Sequence, residues 1–274
     1  MLRSLNSAVS GMQQFQESMD VIGNNVANVN TTGFKSARVD FEEAFSQQMS
    51  AGPGGIPMQV GTGVNTSAIS NQFLQGAITR TSNVGDVAVS GNGFFVVQDT
   101  LSGAQYVSRD GAFHVDDNGY LVTNNGLRVQ GYSDAGLSAR GDIQIDNTGA
   151  PGGSTAKVVT YDIDSDGKIN VRLEDGTEFV RGQLLLQTFQ NPQALTKEGS
   201  NLYSVGTSAG PLSQTEAPGT NGLGKLVSGA LEMSNVDLAN EFSNLIINQR
   251  AFQASARMIT TSDELLQEVV NLKR

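Results

Sequence analysis

The stretch at residues 237–272, DLANEFSNLIINQRAFQASARMITTSDELLQEVVNL, decides the fold of this chain. Its apolar residues recur every seven positions, which is the spacing of a helix that presents one face to a partner helix. The main row is Leu238, Leu245, Phe252, Ile259 and Leu266, and the companion row is Phe242, Ala256 and Val270, with Gln249 and Asp263 as polar exceptions. Ser234 and Asp237 supply the start signal. At about 1.5 Å per residue the helix would extend roughly 50 Å, so we expect it to need a partner.

The other end of the chain repeats this pattern. Its apolar row is Leu5, Met12, Met19 and Val26, with Leu2 and Val9 in the offset that completes a two-row seam. Gly33 is predicted to end this first helix, because glycine readily adopts the left-handed conformation found at helix ends. We therefore predict that the two terminal helices pair as a coiled coil.

Between the two ends the chain shows the pattern of short strands. Glycine occupies 32 of 274 positions, and alternating or apolar runs are separated by Asp-Gly and Asn-Gly pairs, which favour tight turns. The predicted strand regions are 86–99, 105–132, 157–161, 169–173 and 178–189, and the turns lie at 109–111, 117–119 and 124–126. Two stretches rich in small and turn-forming residues, 47–63 and 208–224, are predicted to be flexible connections.

The resulting fold class is α+β, with long terminal helices and a central, mainly antiparallel β domain. We predict a helical domain from 1–45 and 225–274, and an outer β-rich domain over 46–224 that includes the flexible stretches. An alternative remains open at this point, because the same periodicity is found when both helices simply form the core of an ordinary α+β domain.

Composition excludes several classes of function. The chain has no cysteine, so disulfides and thiolate metal sites are excluded, and its single histidine, His114, cannot build a multi-histidine site. A formal charge of -10 disfavours nucleic acid, which needs clustered cations. No apolar run approaches the ~20 residues of a membrane-spanning helix. We predict no catalytic residue, no metal, no cofactor, no nucleic-acid partner and no membrane insertion.

One acidic turn resembles a calcium loop. Asp162, Asp164, Asp166 and Gly167 match the first half of such a loop, but Leu173 stands where a bidentate glutamate is required. A plain acidic turn is the simpler interpretation. The alternative class of function is a secreted calcium- or glycan-binding β protein.

Three segments resemble the bacterial flagellar hook and rod protein family. They are DVIGNNVANVNTTGFK at 20–35, SGNGFF at 90–95 with the run 106–132, and GALEMSNVDL at 229–238 with QRAF at 249–252 and the run 260–274. The family motif residues are Asn24, Asn25, Asn28, Gly33, Phe34, Ser234, Asn235, Val236, Gln249 and Arg250. The resemblance covers most of the chain.

The resemblance implies a structural subunit that polymerises into a tube. Within the family it is strongest to the hook protein of the compact, Gram-positive type, a flexible coupling between rod and filament, and the distal rod protein is the alternative. The implied partners are further copies of the chain, the distal rod, hook cap and hook–filament junction proteins, and the flagellar export apparatus. The implied location is the basal body and hook, outside the cell after export.

The apolar rows at both ends are the candidate assembly interface. We expect the residues of the first helix to pack against those of the last, and neighbouring copies to bury what stays exposed. The residues are Leu5, Val9, Met12, Met19, Val26, Phe242, Leu245, Phe252, Ile259 and Leu266.

Overall fold

The computed structural model describes residues 2–51, 57–210 and 215–272. The chain forms two compact units. The first comprises Met1–Val29, Ser36–Gln72 and Val236–Arg274, and the second comprises Asn30–Lys35 and Phe73–Asn235. Residues 46–51 and 57–72 are thus grouped with the terminal helices in the first unit, while the division predicted at 45/46 and 224/225 stays a prediction.

Two long helices dominate the first unit: α1, Leu2–Ala27, and α2, Leu238–Asn271. The predicted pairing of the chain ends is confirmed, because these helices contact each other along their length. The predicted end of α1 at Gly33 is wrong. The helix ends at Ala27, and the Asn28 side chain follows with a hydrogen bond from Nδ2 to the Asn24 carbonyl at 2.9 Å.

The start of α2 is set by Asp237. Its Oδ1 accepts hydrogen bonds from the backbone N–H of Ala239 at 2.9 Å and of Asn240 at 3.4 Å, so an acid satisfies the first free amides of the helix. The capping role suggested for Ser234 is therefore wrong, since that residue lies three positions too early. The expected length is confirmed by the 34 residues of α2.

The first unit also contains an antiparallel ribbon built from β1, Ala37–Glu43, β2, Ser46–Ala51, β3, Pro57–Gly61, and β4, Val64–Asn71. The β1–β4 and β2–β3 ladders join, because Ala44 N–H donates to the Gly63 carbonyl at 2.9 Å and Thr62 N–H donates to the Phe45 carbonyl at 3.0 Å.

The predicted flexible passage over 47–63 is thus wrong in its described part, which is paired strand; residues 52–56 lie outside the described residues. The sequence pattern did not predict these strands, because their side chains are mostly polar and do not form an apolar row.

The ribbon packs on α1. Thr66 Oγ1 donates to Glu17 Oε2 at 2.6 Å and also contacts Gln14 Oε1. The rings of Phe15 and Phe41 meet edge to face, with centroids 6.3 Å apart. The helix therefore braces the base of the ribbon.

The second unit is a β body. Its strands are β5 Ile78–Arg80, β6 Val87–Ser90, β7 Phe94–Gln98, β8 Gln105–Ser108, β9 Phe113–Val115, β10 Leu121–Thr123, β11 Arg128–Tyr132, β12 Arg140–Asp142, β13 Val158–Ile163, β14 Lys168–Leu173, β15 Glu178–Leu184, β16 Leu186–Gln187, β17 Thr196–Gly199, β18 Leu202–Ser204, β19 Lys225–Ser228 and β20 Ala230–Glu232. A 12-stranded antiparallel sheet has the central order β13-β14-β15-β11-β7-β8-β18-β17, and β6–β19 and β5–β20 form separate pairs. The predicted antiparallel β domain is confirmed.

Two of the three predicted turns are confirmed. Gly119 and Gly126 have φ of 80° and 78°, and their N–H groups close tight turns on Asp116 and Thr123. The predicted turn at 109–111 is wrong, because β8 and β9 pair with other strands and not with each other.

The connection predicted over 208–224 is partly bound to the β body. Glu216 pairs with Leu186 through both backbone groups, and Leu223 is buried in the main apolar core. Residues 211–214 lie outside the described residues. The expected flexibility therefore does not hold for the described part beyond them.

Candidate assembly interface

The seam between α1 and α2 is held by polar side chains. Asn25 Nδ2 donates to Glu241 Oε1 at 3.1 Å, and Asn248 Nδ2 donates to Ser18 Oγ at 2.9 Å. Moving seven residues towards the N-terminus of α1 thus corresponds to moving seven residues towards the C-terminus of α2. The helices are antiparallel and in heptad register.

The same register continues at Gly11. A Cβ atom added there would lie 3.7 Å from Ser255 Oγ, at van der Waals contact, which places Gly11 opposite Ser255. The row on α1 is Ser4, Gly11, Ser18 and Asn25, and the row on α2 is Glu241, Asn248, Ser255 and Ser262. The residues that meet directly in these two rows are therefore small or polar, and the apolar rows predicted from heptad spacing flank them.

The predicted apolar residues lie beside this polar seam. On α2 the four half-buried ones are Leu245, Phe252, Ile259 and Leu266, while on α1 they are Leu5, Met12, Met19 and Val26. Val9 and Phe242 are more open, with 39% and 50% of their surfaces exposed. Their burial by neighbouring copies stays a prediction.

A second apolar stripe on α2 is left open. The large apolar side chains of this stripe that remain exposed are Ile247, Met258, Leu265, Val269 and Leu272, which lie within about 60° of one another around the helix. Exposed apolar surface of this extent marks an interaction face in soluble proteins. No side chain in the described ranges covers it fully, which is the geometry expected of a subunit before assembly.

Asn25 connects three elements of the first unit. Its side chain is buried; Oδ1 accepts from the Ala37 N–H at 3.0 Å, and Nδ2 donates to the Ala37 carbonyl at 2.9 Å. The additional bond to Glu241 joins α1 and the start of β1 to α2. Burial raises the pKa of Glu241, and the Asn25 hydrogen bond partly offsets that rise. This explains one family motif residue in physical terms.

Gly33 and Phe34 are anchor points inside the second unit. Gly33 has φ of 68°, and an added Cβ would lie 2.6 Å from the Asp110 amide nitrogen, so only glycine fits. Its N–H donates to the Glu232 carbonyl at 2.8 Å. Phe34 is buried, and Lys197 Nζ lies 4.7 Å from the centre of its ring.

A buried cluster of charges lies next to this anchor. Lys35 Nζ donates to Glu232 Oε1 at 2.6 Å and to the Leu74 carbonyl at 2.7 Å. The Arg109 guanidinium reaches Glu232 Oε2 at 3.3 Å. Burial lowers the pKa of both cations, and the Glu232 charge opposes that shift. Arg109 and Glu232 carry no signal in the sequence, because isolated charged residues are usually exposed.

The remaining motif residues are less buried. Asn235 Nδ2 donates to the Leu74 carbonyl at 3.4 Å, and Ser234 and Val236 are half-buried. Gln249 and Arg250 are exposed on α2. These two are therefore placed to contact another molecule.

The acidic turn at Asp162–Gly167 is an ordinary tight turn. Gly167 N–H donates to the Asp164 carbonyl at 2.9 Å, and the three aspartates are exposed. Within residues 2–51, 57–210 and 215–272, no three side chains of the metal-binding types gather in one place. In the same ranges, no helix combines the length and apolar character needed to cross a membrane.

Comparison with known proteins covers both ends and the β body. The family model "Flagella basal body rod protein" matches residues 5–35, "Flagellar hook protein FlgE/F/G D1 domain" matches 88–171, and "Flagellar basal body rod FlgEFG protein C-terminal" matches 227–272. The flagellar basal-body rod protein FlgG of Bacillus subtilis is 41% identical, and the match covers all of both chains.

The chain belongs to the flagellar rod and hook protein family. A second rod relative, FlgG of Buchnera aphidicola subsp. Baizongia pistaciae, is 36% identical over 98% of this chain and 99% of its own. The flagellar hook protein FlgE of Borreliella burgdorferi is 29% identical over the full length of both chains. As a member of this family, the chain is a structural subunit of the flagellar axis that assembles with copies of itself, and it is not an enzyme.

Proposed function

We propose that the chain is the distal rod subunit of the flagellar basal body, a building block of the straight shaft rather than of the flexible hook. The observation that carries this proposal is chain length. The match to the Bacillus rod protein extends over 281 positions, whereas the match to the Borreliella hook protein extends over 444 positions although this chain has 274 residues. The hook relative therefore contains long insertions that this chain lacks.

The sequence-based preference for the hook is thus less well supported than its stated alternative. About a hundred residues separate Tyr132 from Gly229, and completing the β body uses most of them, which leaves too few for an additional outer domain of ordinary size. The rod assignment accounts for this length without a missing domain.

The ribbon gives independent physical support. A flexible coupling requires joints that let each subunit tilt, and the stretch 47–63 was the candidate joint. Its described residues instead form a hydrogen-bonded ribbon whose base is held on α1 through Thr66 and Glu17. A braced ribbon restricts motion, as a shaft that transmits torque requires.

The proposal implies a location and partners. Copies of the chain pack into the basal-body rod, and the hook joins the end of that rod. Recognition by the flagellar export apparatus stays a prediction that follows from the family.

Cross-complementation tests the proposal. The chain would be expressed in a Bacillus subtilis strain without its own FlgG and, as the matched control, in a strain without its own hook protein. We expect swimming to return only in the first strain. Rescue of the hook-deficient strain alone would overturn the rod assignment and favour the hook.

Labelling provides a second readout. A tag in the exposed turn at Leu101, which points away from the core, would be decorated with gold on isolated flagella. We expect gold on the rod segment of basal bodies. Gold along the hook would contradict the proposal even if swimming were restored.

A further inference from the structure

The outer side of α2 carries a groove that is lined by two positively charged arginine side chains. Arg250 and Arg257 lie two turns apart, and the groove between them is lined by Gln253, Ala254, Met258 and Thr261. The small Ala254 side chain forms its floor. Met258 forms an apolar wall and is 53% exposed.

Neither arginine is paired with an acid in the described part of its own chain. Among the described residues no carboxylate lies within ion-pair distance of Arg250 or Arg257, and the only side-chain bond there runs from Arg250 to Gln253 Oε1 at 3.3 Å. The positions three and four residues away on the helix are Ile, Gln, Ala and Thr. The usual helical ion pairs are therefore unavailable to both cations.

Asp20 on α1 likewise has no ion-pair partner among the described residues, but its charge is negative. It is exposed, and no cation pairs with it in the part of the chain that the structure describes. Glu17, the neighbouring acid, is already bound to Thr66. Asp20 is thus the exposed acid of this helix that has neither a cation nor a hydrogen-bond donor among the described residues.

Helical geometry directs these charges away from the seam. Asp20 follows the seam residue Ser18 by two positions, and Arg257 follows Ser255 by two positions; Arg250 stands in the same relation to Asn248. Two residues rotate a side chain by about 200° around an α-helix. The acid and the cations therefore lie on the far sides of their helices and cannot meet within one chain, whereas two copies can bring them together.

We propose that Asp20 of one copy enters the Arg250–Arg257 groove of a second copy, so that the outer face of α1 lies along the outer face of α2 in the neighbouring subunit. This deepens the proposed function and rests on it. Charge complementarity identifies the occupant, and the exposed side chains of Val9 and Met258 add apolar contact beside the ion pairs. Arginine suits this site because its planar guanidinium binds carboxylates through two parallel hydrogen bonds.

Charge reversal on the full-length protein tests the contact. The variants are Asp20→Arg, Arg257→Glu and the two combined; the control is Arg80→Glu, an exposed arginine of the β body with no ion pair among the described residues. Assembly is measured by sedimentation and electron microscopy, and folding by circular dichroism. We expect each single variant to raise the critical concentration for assembly about tenfold or more, and the combination to recover most of that loss. The control should assemble like the wild type.

A mixing experiment separates contacts between copies from effects within one. Subunits with Asp20→Arg and subunits with Arg257→Glu should assemble poorly alone and should assemble together when mixed, because each then meets a complementary charge. Normal assembly of both single variants would overturn the inference, and so would failure of both the combination and the mixture to recover. Absence of polymer in the wild type as well as in every variant would overturn both the contact and the proposed function, whereas loss that persists only in the variants and their mixture would overturn the contact alone.

Discussion

At the scale of single residues, the most constrained group is the Glu232 carboxylate. This carboxylate forms ion pairs with Lys35 and Arg109, and it accepts a hydrogen bond from the Gly76 N–H at 2.9 Å. The side chains of Glu232 and Lys35 have no exposed surface. A buried carboxylate and its cations are costly to separate, because each charge left behind has lost its water. This cluster joins the motif segment at 33–35 to the segment that ends at Glu232.

Glu232→Gln is expected to destabilise the protein strongly. The variant keeps the shape but leaves two buried cations without a counter-charge, which costs about 3–5 kcal/mol. Chemical denaturation followed by fluorescence of the tyrosines would give the free energy of unfolding. The control is Glu178→Gln, which breaks the exposed pair with Arg172 and should cost about 0.5 kcal/mol or less. Equal losses in both variants would contradict the buried-cluster account.

Glu241 is expected to make stability depend on pH. Burial raises the pKa of its carboxyl above the ordinary 4.5, so the folded protein holds this proton more tightly than the unfolded chain. The resulting stability is complete below pH 4.5 and is lost as pH rises through the raised pKa. Glu241→Gln stays neutral throughout. We therefore expect the Tm of the wild type to fall relative to the variant as pH rises above 4.5 through the raised pKa. A Tm difference that stays constant with pH would contradict this.

At the scale of elements, the paired helices show what heptad spacing can and cannot predict. It predicted the existence and pairing of α1 and α2, and the length of α2. It did not single out the contacting row on α1, because the row of Ser, Gly and Asn there lies one position before the predicted apolar row and has the same period. The interhelical bonds of Asn25 and Asn248 decide between them, and those bonds exist only in the folded protein.

The sequence likewise predicted some of the strands and turns and missed others. The β body was predictable because Asn-Gly pairs at Gly119 and Gly126 demand positive φ. The ribbon was not, since a polar two-stranded element lacks the alternation that reveals a half-buried strand. The Lys35–Glu232 contact was equally hidden, because it joins residues 197 positions apart.

The glycines of α1 provide a test of the seam. Gly11 is buried beside Ser255, whereas a Cβ on Gly23 would meet nothing within 4 Å. Gly11→Leu is expected to force the helices apart and to cost about 1–3 kcal/mol. Gly23→Leu, on the same helix, should be neutral or stabilise by about 0.5–1 kcal/mol. Thermal unfolding followed by helical circular dichroism would distinguish them. The polar seam would be refuted if Gly11→Leu were as well tolerated as Gly23→Leu.

At the scale of the whole molecule, the chain combines a β body that buries its apolar residues with a helical unit that leaves many exposed. The main core of the β body includes Phe95, Leu121 and Ile169, each almost fully buried. By contrast, the apolar stripe of α2 stays open to solvent. The β body thus buries most of its apolar side chains within the chain, while the helical unit keeps apolar surface exposed for contact with neighbouring copies.

Leu265→Lys is expected to block assembly without unfolding the chain. Leu265 is 57% exposed on α2, so the monomer loses little, whereas an interface that buries the lysine must desolvate its charge. The control is Leu101→Lys, at a turn of the β body where the leucine is 96% exposed. Sedimentation should show monomers for the first variant and normal polymers for the second. Unchanged assembly of Leu265→Lys would exclude this stripe from the interface.

The two chain ends belong to one compact unit, which limits when a subunit that is exported end-first can complete that unit. A polypeptide threaded end-first through a narrow conduit releases one terminus long before the other. Because Asn25 needs Glu241 and Ser18 needs Asn248, the helical unit stays incomplete until the trailing end has emerged. A subunit still in transit therefore cannot present a finished helical unit, and assembly with other copies waits for complete release.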